Sequence, residues 1–360
     1  MDKPINIGIV GLGRAGNGMH LNEIKNKTDK FRVAAVCDII PERAERAARE
    51  LSCRAYFSIE DMLKDSEVEL ADIATRTVDH YRHALAALEA GKKVFLEKPA
   101  CCSYDEFLKL VEYANGSGDT RLYVRQNRRF EAVFNYFLNT VRSGLLGNVF
   151  DIRISQMGYQ RRDDWQTLSR FGGGQLLNWG PHIIDQALVL LGSQVKSMSS
   201  DLKQAAAGGD CEDHFSVYLR GENGRSVSLC ISGAAALGQG RKYEAYGDRG
   251  AMICENNLIK ARYINPEQIL PAVVSDPGTP GQSFGSSGTF EAAVTPEWVE
   301  TDKTIDTEDL SVIWDYLYES IRNGKPFPVT DSEVLSVMKV ISAAKEEPIV
   351  LSGDIDCYEK

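Results

Sequence analysis

Positive charge is in short supply: 41 lysines and arginines stand against 51 aspartates and glutamates, a formal net charge of −10 over 360 residues. Such a chain has no basic stripe with which to neutralise a phosphate backbone, which argues against a nucleic-acid partner. Clusters such as Arg125, Arg128 and Arg129 are too small to reverse that balance. No apolar run is long enough to span a bilayer, so no membrane partner is expected. The first apolar run starts within a few residues of Met1, leaving no space for a signal peptide. Metal and disulfide patterns are missing as well. Eight cysteines, at 37, 53, 101, 102, 211, 230, 254 and 357, include no C-x-x-C and have no histidine at ligand spacing. Nothing beside Cys101 and Cys102 marks either as a thiolate, so packing is their expected role. Reduced thiols, no metal and a cytoplasmic location follow as expectations. There is no internal repeat.

What is present begins at Ile5–Gly16, INIGIVGLGRAG, an apolar run that flows into glycines spaced G-x-G-x-x-G. Ile5, Ile7, Ile9 and Val10 supply a buried parallel strand. Gly11 permits a tight turn, Gly13 lets backbone approach a pyrophosphate, and Gly16 lets the next helix pack on the strand. The spacing alone is a weak motif. A second apolar run, Val33–Cys37, ends on Asp38 about twenty residues later, where an acid binds a ribose 2′-hydroxyl. Together they predict a dinucleotide site built from Gly11, Leu12, Gly13, Arg14, Ala15, Gly16 and Asp38, its phosphates facing the N–H groups at the helix start.

Apolar periodicity and capping residues predict helices over 17–27, 41–51, 79–90 and after Ser103, and a short one after Ser58. They alternate with strands at 68–74, 94–96 and 122–124. This is the pattern of a parallel, doubly wound sheet through about residue 126. Beyond it, a helix over 130–142, a strand over 149–157 and a mostly apolar helix over 175–191 precede a block of glycine-punctuated strands from 195 to 262, better explained by an antiparallel sheet. A loop is predicted over 277–288 and closing helices over 310–321 and 333–344. The reading is α/β over 1–126 followed by α+β over 127–360.

Ligands of doubly wound sheets lie at the carboxyl ends of the strands, and Lys98 follows such a strand directly, its direction biased by Pro99. Thr75 and Glu97 stand at comparable strand ends. The run from Gly172 to Asp185, GGGQLLNWGPHIID, would align Asn178, His182 and Asp185 on one helical face, although Pro181 requires the helix to kink or start there. In the polar loop before it, Arg161, Arg162 and Trp165 offer guanidinium and indole groups that suit a sugar or carboxylate. His20 and His80 read as packed rings or caps.

The GLGRAG loop, the ALEAGKKVFLEKP run of 87–99 and the GGGQLLNWGPHIIDQ run together resemble the Gfo/Idh/MocA family of oxidoreductases, over most of the chain. The resemblance implies a nicotinamide-binding Rossmann domain, a substrate-binding and oligomerisation domain over 127–360 with an open, mainly antiparallel sheet, and pairing of such sheets in homodimers or homotetramers. It also implies oxidation or reduction of a sugar, inositol or related polyol. Lys98 falls on the family's E-K-P lysine and His182 on its catalytic histidine; Asn178, Asp185, Arg162 and Trp165 are then the expected substrate contacts. Thr75, Glu97 and Lys98 join the glycine loop in the expected NAD site, with NADP disfavoured by Asp38. Two departures stand out: Asn178 where the family often has aspartate, and Thr75, Arg76 and Thr77 where it has a proline-rich turn. Arg76 has no role assignable from sequence. Two other activities fit the same motifs: a sugar hydrolase or lyase acting by transient oxidation with retained NAD, and a nucleotide sensor without turnover.

Overall fold

A computed structural model describes residues 3–116, 121–274, 277–278, 294–306 and 309–346. β1 (Ile5–Val10) is buried along its whole length, as an unbroken apolar run requires of a strand covered on both faces. Around it lie β2 (Phe31–Cys37), β3 (Arg54–Tyr56), β4 (Leu70–Ile73), β5 (Lys93–Glu97) and β6 (Leu122–Arg125). The order is β3-β2-β1-β4-β5-β6, and every neighbouring pair is parallel. The order reverses between β1 and β4, which opens a crevice at the carboxyl ends of those strands.

The crossover after β1 differs from the single helix expected over 17–27. It begins with a π-helical turn, Gly16–His20, and continues as α1 (Leu21–Ile24). His20 N–H donates to Ala15 O, five residues back, and the widened turn carries the His20 ring into the interior. α2 (Pro41–Leu51) starts on its proline, α3 (Ile59–Leu63) on Ser58 and α5 (Tyr104–Asn115) on Ser103, whose hydroxyls accept from Asp61 N and Glu106 N. Between them, α4 (Thr77–Glu89) runs from the end of β4 to just before Gly91, which has φ +76°.

The second half holds α6 (Ala132–Arg142), β7 (Val149–Met157), α7 (Gln175–Asn178), α8 (Gly180–Leu191) and strands β8 (Val195–Lys203), β9 (His214–Gly221), β10 (Ser226–Ser232), β11 (Arg241–Gly247), β12 (Gly250–Glu255), β13 (Leu258–Ile264) and β14 (Trp298–Thr304). These strands form one sheet ordered β14-β13-β12-β11-β7-β10-β9-β8, antiparallel except between β7 and β10. Val217, Leu219, Val227 and Leu229 point into the core, while Ser216, Tyr218 and Ser228 alternate onto the opposite, open face. The helix expected over 175–191 is two helices. Pro181 cannot donate to residue 177, so the chain breaks at Trp179 and α8 starts afresh with the proline in its first turn. Asn178 therefore does not share a helix with His182 and Asp185.

α9 (Val312–Asn323) returns to the first sheet, where the buried Trp314 ring meets Phe95 at 4.8 Å and Phe31 at 5.5 Å. α10 (Asp331–Ala344) is closed by a reciprocal Thr330–Glu333 cap. The loop expected over 277–288 lies outside the described residues except for Pro277 and Gly278. Among the described residues no helix is long and apolar enough to cross a membrane.

Candidate active site

The glycine loop is shaped by what each position can hold. Gly11 has φ +91°, and a Cβ there would lie 2.7 Å from Ala74 O; one on Gly16 would lie 1.9 Å from Gly11 O. Gly13 instead faces open space, with nothing within 4 Å of a built Cβ. The helix that follows has no intrahelical acceptors for its first N–H groups, as at every helix start. At the end of β2, Asp38 receives Leu12 N at 2.8 Å and Ile40 N at 2.9 Å. Each carboxylate oxygen keeps a further lone pair for a ribose hydroxyl. Arg43 lies 3.9 Å from Asp38. An open backbone cradle beside a helix start, with an acid at the neighbouring strand end, fits a dinucleotide.

Two predicted members of the cofactor site turn elsewhere with their side chains. Glu97 is buried, its Oε2 3.2 Å from His20 Nε2 and 3.2 Å from Arg125. Burial pushes its carboxyl up, and the charges of Arg125 and His20 overcome this and hold it well below the ordinary range. The Thr75 hydroxyl lies 3.2 Å from His83 Nδ1, and the Thr75 carbonyl lies 3.2 Å from His80 Nε2. The opposite His80 nitrogen lies 2.7 Å from Pro99 O; burial lowers the ring's pKa, so the neutral imidazole donates to one carbonyl only, that of Pro99 at the shorter distance.

Lys98 sits one residue past β5, before a cis peptide to Pro99, and its Nζ donates to the carbonyl of Asn178 at 2.9 Å. Burial lowers its pKa, with the charges of Arg128, Arg125 and Arg14 acting in the same direction and Glu97 against it. His182, one residue past Pro181 in the first turn of α8, is buried, and its Nδ1 has no hydrogen-bond partner. Burial and the charges of Lys98 and Arg128 drive its pKa well below 6.5, so the ring is neutral at pH 7. α8 is anchored at this end: Gln126 Nε2 donates to Pro181 O at 3.3 Å and Gln186 Nε2 to Arg128 O at 3.0 Å.

Around this pair the loop before the triple glycine folds inward. Asn178 Oδ1 accepts from Gln166 Nε2 at 3.2 Å, and the Arg162 guanidinium reaches both Gln166 Oε1 and, at 2.6 Å, Asp164. Trp165 opens the short 3-10 turn Trp165–Thr167 beside them. Asp185 is engaged away from this group: both its oxygens accept from Arg129, which also reaches Glu333 at 2.8 Å. Lys98, Asn178 and Arg162 are thus linked through Gln166 and the Asn178 main chain, with Trp165 in the adjoining turn and His182 within the field of Lys98, while Asp185 is drawn into a buried ion pair one turn along α8. Sequence reasoning missed Gln166, Arg128, stacked 4.5 Å over Trp179, and Arg129. The cluster of Arg125, Arg128 and Arg129 was visible as charge directly after a strand end, and that position was the available clue.

Two family models match the chain in order. One described as "Oxidoreductase family, NAD-binding Rossmann fold" covers residues 5–125, and one described as "GFO/IDH/MocA C-terminal domain" covers 135–253. A scyllo-inositol 2-dehydrogenase (NADP(+)) of Bacillus subtilis is 26% identical over 95% of this chain and 93% of its own. An uncharacterized oxidoreductase of Schizosaccharomyces pombe is 30% identical over 69% of this chain and 70% of its own. Among solved structures, an NAD-binding protein from Listeria innocua superposes with a TM-score of 0.76 at 26% identity, covering 94% of this chain and 93% of that one. Cradle and lysine therefore sit in a sequence matched along most of its length, and the chain belongs to the Gfo/Idh/MocA family as an NAD(P)-binding oxidoreductase.

Proposed function

We propose that this enzyme moves a hydride between the nicotinamide of NAD and a secondary alcohol of a sugar, inositol or related polyol. The observation that carries this reading is Lys98 at the carboxyl edge of the parallel sheet, bonded to the Asn178 carbonyl just ahead of α8, with the unpartnered Nδ1 of His182 in the first turn of that helix. A bound nicotinamide supplies the hydride acceptor. The protein's task is then the hydroxyl proton, and neutral Lys98 takes it from the alcohol oxygen while neutral His182 hydrogen-bonds that oxygen. Asn178, held by Gln166, offers its amide to a second hydroxyl; Arg162 and Trp165 border the same space. Asp185 acts through Arg129, fixing α8 and hence the histidine. The Bacillus subtilis relative is named for scyllo-inositol, which supports a cyclic polyol as one substrate to try. A screen of sugars, inositols and their keto forms, followed at the absorbance of reduced nicotinamide, tests the reading. Turnover with any member supports it; silence across the panel in both directions overturns it.

Cofactor choice follows from Asp38, whose charge repels a 2′-phosphate, although that relative is named for NADP. NAD should bind at least tenfold more tightly than NADP in a fluorescence titration, and Asp38→Ser should narrow the gap by freeing Arg43 to meet the phosphate. Equal affinities in the unaltered protein would assign Asp38 to holding the loop alone. Lys98 already bonds the main chain of residue 178, so a carboxylate there that turned from Gln166 toward the ammonium would favour its charged form. Asn178→Asp should therefore move the pH at half-maximal oxidation upward by about one unit. An unmoved profile in a folded, active variant would make His182 the preferred base.

The open face of the second sheet, with Tyr218 and the serines of β9 and β10, suits pairing with a second copy, which supports a homodimer or homotetramer. The free thiols of the described residues suit the reducing cytoplasm.

A further inference from the structure

Arg76 lies in the Thr75–Thr77 stretch that departs from the family's proline-rich turn, directly before α4. Its guanidinium lies 4.4 Å from the Phe171 ring centroid and 6.0 Å from that of Trp165, with Arg170 over the same Phe171 ring at 4.9 Å. Among the described residues no carboxylate pairs with it. Arg170 over the same ring likewise pairs with no acid among the described residues, whereas Arg125, Arg128, Arg129 and Arg162 each hold one. Arg76 is exposed, and its ring contacts leave N–H donors open to a carboxylate or phosphate, which a guanidinium can meet with two parallel hydrogen bonds.

The place of this cation in the fold gives it meaning. β4 and β5 are paired up to Ile73 beside Leu96, and past their ends the His80 ring lies between Thr75 O and Pro99 O, which puts the Thr75–Arg76 bend on the same edge of the sheet as Lys98. From the other side, Trp165 adjoins Gln166, Gln166 holds Asn178, and the Asn178 carbonyl holds Lys98. A chain of contacts through Trp165, Gln166 and Asn178 thus links Arg76 to Lys98. A charge of −10 over the whole chain makes an unneutralised arginine here a local feature and not a consequence of composition.

We propose that Arg76 is an anion-recognition residue of the substrate cleft, and that the substrate is an acidic polyol, carrying a carboxylate or a phosphate, whose hydroxyl is presented to Lys98. The inference rests on the reading of the cleft as a polyol oxidoreductase and deepens it.

The test is binding to the full chain loaded with NAD, by calorimetry, using D-glucuronate, D-glucose 6-phosphate and neutral D-glucose as probes. At least one anionic probe should bind tenfold or more tightly than glucose, and which one does so separates carboxylate from phosphate. Arg76→Gln should erase the preference while NAD affinity stays within about threefold; Arg76→Lys, which keeps charge but loses the planar fork, should fall between. The proposal is overturned if neither anion outbinds glucose, if the preference survives in Arg76→Gln, or if that variant loses NAD affinity instead, which would assign the arginine to the cofactor phosphates. Binding is read without turnover, so the two readings separate. Arg76-dependent anion binding without any nicotinamide reduction would remove the dehydrogenase and keep the anion site. Turnover of neutral polyols with kcat/KM unchanged in Arg76→Gln would do the reverse.

Discussion

Lys98→Ala should cut kcat for polyol oxidation by about a hundred- to ten-thousand-fold while NAD affinity changes little. That range corresponds to about 3–5 kcal/mol of barrier. The ammonium or amine at this position is directed at the Asn178 carbonyl and the space beside His182, not at the glycine loop, so cofactor binding has no reason to fail. Because burial depresses its pKa, Lys98 gives up its proton below the ordinary lysine range, and oxidation should reach its plateau at correspondingly lower pH. Removing the side chain also removes a bond that holds the α7–α8 junction, so rate loss alone does not separate chemistry from positioning. Chemical rescue does. Added methylamine should restore part of the rate in Lys98→Ala and return a pH dependence that reports the amine's own titration. A variant that turns over normally, or one whose loss no amine repairs although the fold is intact, would reduce Lys98 to a structural tether.

The parts of this site that were legible in the sequence are those fixed by local chain chemistry. The glycine spacing, the acid at the end of β2, the proline after Lys98 and the apolar run of β1 each constrain their own backbone, and each stands where the pattern puts it. The antiparallel block was legible for the same reason, since alternation along β9 and β10 separates core from open face. What sequence reading left open depends on contacts between distant segments. Asn178 and His182 were joined in one helix until Pro181 divided them, and Asn178 meets Lys98 through its main chain, which no side-chain pattern encodes. Asp185 carries the same carboxylate whether it faces a ligand or Arg129, 56 residues away in the chain. Arg76 had no reading at all until Phe171, from the other domain, was placed under it.

The last and most general of these distant assemblies lies beneath the site, and it makes stability depend on alkaline pH. His20, at the end of the π turn, is wholly buried, with Nδ1 2.8 Å from Asp72 on β4 and Nε2 3.2 Å from Glu97 on β5. Arg125 on β6 reaches Glu97 and, at 2.8 Å, Glu23 on α1, which also accepts from Trp314 Nε1 of α9 at 2.7 Å. Burial alone would lower the histidine's pKa and Arg125 adds to this, yet the charge of Asp72 and the hydrogen bonds of Asp72 and Glu97 prevail and raise it from 6.5 to about 9. A raised pKa contributes stability that is fully present below 6.5 and is lost as pH rises through about 9. The rise is worth about 3 kcal/mol. The unaltered protein should therefore lose several degrees of Tm between pH 6.5 and 9.5, and His20→Gln, less stable at the lower pH, should show a much flatter slope over the same window. Asp72→Ala should destabilise by about 3–5 kcal/mol, because it strands a buried imidazolium. Parallel Tm losses in the unaltered protein and His20→Gln would place the alkaline sensitivity elsewhere. If the slopes differ as expected, the same ion cluster joins the helix behind the cofactor cradle to the strand that leads into Lys98, so loss of the imidazolium charge should loosen both sides of the site together.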